Sequence, residues 1–270
     1  MVIRPPGRWP GLALGELWHN RRIGLVLAKR NFKVRYRQTA LGVLWAVIQP
    51  LLLMVVFTVF FGLIGRMPRQ GDVPFPVFFL AGIAIWHAAA RLLSQATVSI
   101  IQNSSLIEKV YFPRIYFPVS AALVSLVDLG FAVGALVVLL AIFGIVPGWE
   151  VLLAPFFAAV GFTTVLGVGM WLSALNARYR DVGQILPFVT QLWFFSSPIL
   201  YPASFVPEPF YTLYFVNPMA FAITGFRWAF AGLQPPPVEA WIIAPLVAAF
   251  VLITGYVFFR LHEPTLDDVL

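Results

Sequence analysis

Residues 29–62 read KRNFKVRYRQTALGVLWAVIQPLLLMVVFTVFFG, a dense cationic run that passes without a linker into a long apolar one. Lys29, Arg30, Lys33, Arg35 and Arg37 place five positive charges within nine residues, and no acid lies among them. From about Gly42 to Ile64 the chain carries no charge, and such a run can cross a bilayer as a helix, which takes about 20 apolar residues. The stretch therefore reads as a membrane span with a basic foot. Anionic headgroups and the positive-inside rule put the foot in the cytoplasm, so the chain is expected to leave the cytoplasm at Gly42.

Composition points the same way. The 270 residues are 60% hydrophobic and 11% charged, with a mean hydropathy of +0.88, which excludes an ordinary soluble domain. A net charge of +7 would suit nucleic acid, but the cations cluster beside span ends, where membrane topology accounts for them. No nucleic-acid partner is expected. There is no cysteine, hence no disulfide or thiolate metal site. Arg21, Arg22 and the basic foot interrupt any apolar core near the start, so a cleavable signal peptide is not expected.

Further along, Leu14, Leu17, Trp18 and Leu25 fall near one face of a helix expected over 11–28, with Arg21 and Arg22 beside them. That is the pattern of a helix lying in the membrane interface, although a soluble helix packed on a partner would use the same face. Gln49 and Pro50 in the inner third of the first span predict a kink. Further spans are expected at about 77–101, 116–146, 151–175, 185–201 and 238–259. The stretch 205–231 is hydrophobic but broken by prolines; it cannot span as one helix and reads as two short helices, 210–215 and 218–231, dipping into the outer leaflet. Residues 1–41 then form a cytoplasmic segment and 42–270 a single all-α integral membrane domain of six transmembrane helices. Of 18 Lys and Arg, this topology puts fourteen inside and only Arg66, Arg69 and Arg227 outside, with both termini cytoplasmic.

Arg91, one turn from His87 and inside the second span, is costly near mid-membrane and must face protein, water or a headgroup. Snorkelling, an interhelical hydrogen bond and a place in a transport path are all open to it. Asp128 in the third span has no evident partner in sequence, so a structural hydrogen bond is the plainer reading beside that of a proton carrier. His19, His87 and His262 are scattered, no second ligand stands at metal spacing, and there is no G-x-x-x-x-G-K-[ST] phosphate loop. No metal site, no catalytic residue and no ATP hydrolysis by the chain itself are expected. An integral membrane enzyme acting on lipid-linked sugars would need acids or histidines converging at one interface, which this inventory does not suggest.

Four stretches together carry a resemblance: RYRQTALGVLWAVIQPLL (35–52), NSSLIEKVYFPR (103–114), NARYRD (176–181) and FFSSPILYP (194–202). In this order they resemble permeases of type-2 ABC exporters, especially the branch exporting O-antigen, teichoic acid and capsular polysaccharides. The resemblance covers nearly the whole chain. It implies a homodimer of six-span subunits in the bacterial inner membrane, docked to two copies of a separate ATPase that binds ATP and Mg, with no cofactor on this chain. It also implies a cytoplasmic coupling helix over 104–112, with Leu106, Ile107, Glu108, Lys109, Tyr111, Phe112 and Arg114 as the segment meeting the ATPase. The substrate would be a lipid-linked glycan passing between spans one and five. A sugar chain offers apolar faces on which aromatic rings can stack, so Tyr36, Trp45, Trp193 and Phe194, with Arg91, are the expected channel residues, though any single ring could equally belong to the membrane belt. A small lipophilic substrate is the rival, and it should have a narrower, less aromatic path.

Overall fold

The computed structural model describes residues 15, 19–37, 41–64, 73–107 and 112–266. These residues are overwhelmingly helical. In chain order the helices are α1 (Arg21–Arg37), α2 (Trp45–Phe57), α3 (Phe75–Gln102), the single turn α4 (Ser104–Ile107), α5 (Tyr116–Ile142), α6 (Ala154–Arg178), α7 (Asp181–Phe195), α8 (Glu208–Tyr214), α9 (Pro218–Ala231) and α10 (Ala240–His262). Short 3-10 turns precede α2 and α6, and a π-type segment, Thr58–Ile64, prolongs α2. Pro50 lies inside α2.

Among the described residues five helices are long and apolar enough to cross a membrane: Gly42–Gly62, Phe75–Gln102, Tyr116–Ile142, Trp149–Arg178 and Ala240–His262. The span expected at 185–201 differs. It forms the 15-residue α7, about 22 Å long at 1.5 Å per residue, and stops at Phe195. Pro198 explains the stop, because proline disfavours the helical conformation in the residue before it and cannot donate to the ladder. The proline-broken stretch that follows gives two short helices, α8 and α9, as the prolines demand.

The centre of the bundle is α3, which packs on α5, α6 and α9. Its most apolar window is 78% buried, against 11% for that of the first span, so the first span presents its apolar side chains outward. At the far side α6 and α10 touch backbone to backbone: a Cβ on Gly255 would lie 2.2 Å from the Gly167 carbonyl oxygen. Only glycine permits that approach.

The connections sort to two ends of the bundle. At one end Arg114 donates from its backbone N and guanidinium to Glu263, Asn176 reaches the Thr97 carbonyl, and Leu27 of α1 packs with Ile100, Ile115 and Phe117. At the other, Trp149, Phe157, Phe221, Trp228 and Trp241 form one aromatic cluster, with Phe157 and Trp241 centroids 5.3 Å apart. Helix α1, the described residues between α3 and α5, the turn between α6 and α7 and the end of α10 thus meet at a single end.

Candidate functional site

Helix α1 is not confined to the stretch 11–28. It runs on through the basic run to Arg37 and lies lengthwise along α5, with Gly24 against Tyr116, Asn31 Nδ2 donating to Ser120 Oγ at 3.1 Å and Arg35 reaching Asp128. Of the apolar face expected on it, Leu14, Leu17 and Trp18 lie outside the described residues, and Leu25 points outward. The side chains of α1 that pack inward are Leu27, Ala28 and Tyr36, while Arg21 and Arg22 are exposed.

Where α1 ends, side chains of α1 and α3 converge on one carboxylate of α5, and α2 joins through Arg91. Arg35 Nη1 stands 2.6 Å from Asp128 Oδ2, Arg91 Nη1 stands 3.4 Å from the same oxygen, and the Tyr36 hydroxyl donates to Oδ1. Arg91 Nη2 also donates to Gln49 Oε1 in α2 and to His87 Nε2 at 2.8 Å. Because a guanidinium can only donate, His87 Nε2 is an acceptor here. Asp128 is 3% exposed, whereas the side chains of Arg35 and Arg91 are 23% and 18% exposed. Two cations on one buried acid leave a net positive charge that is partly screened by solvent. Burial, followed by the bond to Asp128, pushes the Tyr36 phenol above its usual range, so it remains a donor.

The depth of this junction follows from α2. Gln49 lies seven residues past Gly42, or about 10 Å along a helix. Arg91 sits level with Gln49 and so lies in the first third of the first span rather than at its middle. It faces protein, as an intramembrane arginine must. Asp128, which has no partner within reach in sequence, finds two arginines and a tyrosine in the fold.

The remaining expected site residues separate. Trp45 is 39% exposed. Trp193 is half-buried, donates Nε1 to Asn217 Oδ1 at 3.1 Å and meets Trp86 edge-on, as does Phe194. Asn217 in turn caps α9 by accepting from the Met219 backbone N. Leu106, Ile107 and Phe112 pack against the cluster around Phe117, and Arg114 is buried against Glu263. Glu108, Lys109 and Tyr111 lie outside the described residues. Among the described residues no group of His, Asp and Glu could hold a metal ion.

Sequence reasoning passed over Arg227, which it placed outside as one of three external cations. It is wholly buried in α9. Its guanidinium donates to the carbonyls of Phe78 at 3.0 Å, Pro198 at 2.5 Å and Ile199 at 2.6 Å, and lies 3.6 Å from the centroid of the Phe78 ring. A Cβ on Gly82 would come within 2.5 Å of it.

The sequence profile of the ABC-2 type transporter family matches residues 24–231, from α1 to the end of α9. The chain belongs to this family. Both the junction and Arg227 fall within the matched region. Among curated relatives, the O-antigen export system permease protein RfbA of Myxococcus xanthus is 28% identical over 88% of this chain and 91% of its own length. RfbA of Klebsiella pneumoniae is 29% identical over 75% and 78%. The polysialic acid transport protein KpsM of Escherichia coli is 22% identical over 87% and 90%. The family is one of transporter membrane subunits, and these relatives make the ABC-2 chain similar to polysaccharide permeases along nearly its whole length.

Proposed function

We propose that this ABC-2 chain is the channel-forming permease of an ATP-driven exporter of a lipid-linked, O-antigen-like polysaccharide across the bacterial inner membrane. The observation that carries the reading is its similarity to O-antigen export permeases over most of both chains. On this reading two copies form the channel, two separate ATPase subunits supply hydrolysis with their own ATP and Mg, and the end bearing Arg114, Glu263 and α1 faces the cytoplasm, with both termini there. The exposed rings on α7 and the first span, Phe188, Phe195, Trp45 and Phe60, offer the glycan weak, repeated stacking contacts, which suit processive movement.

Residues 103–112 transmit the ATPase stroke in this scheme. Removing an exposed charge alters stability by about 0–1 kcal/mol, whereas burying an unmatched one costs several, so Glu108→Ala should be mild and Ile107→Asp severe. The test is co-purification with the ATPase and stimulation of its hydrolysis by a lipid-linked glycan. Ile107→Asp should lose both while the permease still inserts. Wild-type values for that variant would sink the coupling role, and stimulation by small lipophilic compounds but by no glycan would favour the rival substrate class.

A further inference from the structure

Next to the junction, α1, the last turns of α3 and the first half of α5 enclose a cavity of about 500 Å³. Its polar wall carries Arg30, Arg35, Gln95 and Gln102, and its apolar wall Phe117 and Val124. Among the described residues no carboxylate lines it. Arg30 gives one N–H to Asn103 Oδ1 and has no acid partner among the described residues. Arg35 shares its acid with Arg91, which leaves the wall positive. Lys29, Lys33 and Arg37 are exposed on the same helix and add to the field.

The two guanidiniums and the carboxamides of Gln95 and Gln102 match the oxygens of a phosphoryl group, which guanidinium forks bind bidentately. The apolar wall matches what is attached to such a group in a membrane. The cavity also lies beside the end of α1, close to where the uncharged run of the first span begins, the level at which headgroups lie. We propose that it binds the phosphoryl headgroup of a lipid. The chemistry is common to an anionic phospholipid of the bilayer and to a long-chain isoprenyl diphosphate carrying the glycan; only the second source rests on the export reading.

The test uses the purified chain without any ATPase, so it stands apart from export. In phosphatidylcholine nanodiscs containing phosphatidylglycerol as the minor lipid, native mass spectrometry should show phosphatidylglycerol retained on the wild type. Retention should weaken about tenfold in Arg30→Gln, the loss of one charge-assisted contact of about 1.4 kcal/mol, and less in Gln102→Leu. Lys29→Gln, a cation on the same helix that does not line the cavity, should retain it fully. Adding an isoprenyl diphosphate separates the sources: displacement identifies the carrier, and persistence of phosphatidylglycerol identifies a bilayer lipid. Equal retention by wild type and Arg30→Gln, or equal loss in Lys29→Gln, would overturn the proposal.

Discussion

Arg91 and Arg227 are both arginines held among apolar helices, and the fold satisfies them by different means. Arg227 is sealed in α9 and gives its fork to the backbone carbonyls of Phe78, Pro198 and Ile199, with no acid paired to it among the described residues. Arg91 stays partly solvated, competes with Arg35 for one oxygen of Asp128, and takes Gln49 and His87 as further partners. Carbonyls at fixed backbone positions allow the first arginine one arrangement. A carboxylate shared by two cations allows the second more than one, because either arginine alone would neutralise it. The contrast teaches that charge inside this bundle serves as framework at one end and as an adjustable tie at the other.

The most damaging way to break the comparison is Arg227→Ala. It orphans the Pro198 and Ile199 carbonyls at about 1–3 kcal/mol each and leaves a void, so a loss on the order of 5 kcal/mol is expected, read as failure to yield monodisperse protein or as a collapsed melting temperature in detergent. Arg227→Lys should recover only part, since an ammonium cannot copy the fork. A wild-type melting temperature for Arg227→Ala would refute the framework role.

At the junction, Asp128→Asn leaves two arginines facing each other without an acid. Removing one partner of a buried pair costs about 3–5 kcal/mol; because both arginines are partly exposed, about 2 kcal/mol is expected. Adding Arg91→Gln should restore roughly 1 kcal/mol of it, a coupling that a double-mutant cycle in thermal unfolding would reveal. Strict additivity would mean that Arg91 and Asp128 do not sense each other.

The smallest effects distinguish packing rings from path rings. Trp193→Phe keeps the contact with Trp86 but loses the bond to Asn217, worth about 1 kcal/mol. Trp45→Ala, at an exposed ring, should change stability by no more than about 0.5 kcal/mol yet slow glycan export. Loss of stability in Trp45→Ala, with export per folded molecule unchanged, would reverse the assignment.

Much of the helical plan was legible in the sequence, because uninterrupted apolar runs and prolines act locally. Pro202, Pro207, Pro209 and Pro218 demanded a broken segment, and Asn217 before Pro218 carries the residue types of a helix start. Two things were not legible. Which of five neighbouring cations on α1 would meet Asp128, 93 residues beyond Arg35, depends on the rotation of one helix against another. That α7 ends at Phe195 depends on Ser196, Ser197 and Pro198 opening a turn that Arg227 then locks through the Pro198 and Ile199 carbonyls, a partner far along the chain. The channel residues were chosen by span, whereas exposure divides them: Tyr36 spends its hydroxyl on Asp128 and is buried, and Trp45 remains open.

The contact between Gly167 and Gly255 removes the layer of side chains across which neighbouring helices ordinarily slip. Without that lubricating layer α6 and α10 are keyed together like two halves of a shaft. The foot end of the shaft is gripped where Glu263 takes Arg114, and its head carries Trp241 into the cluster with Phe157 and Trp228. A torque delivered beside Arg114 therefore arrives at the opposite face of the bundle as rotation of a stiff rod. Compliance is left to the first span and α7, whose outward side chains meet no other helix among the described residues.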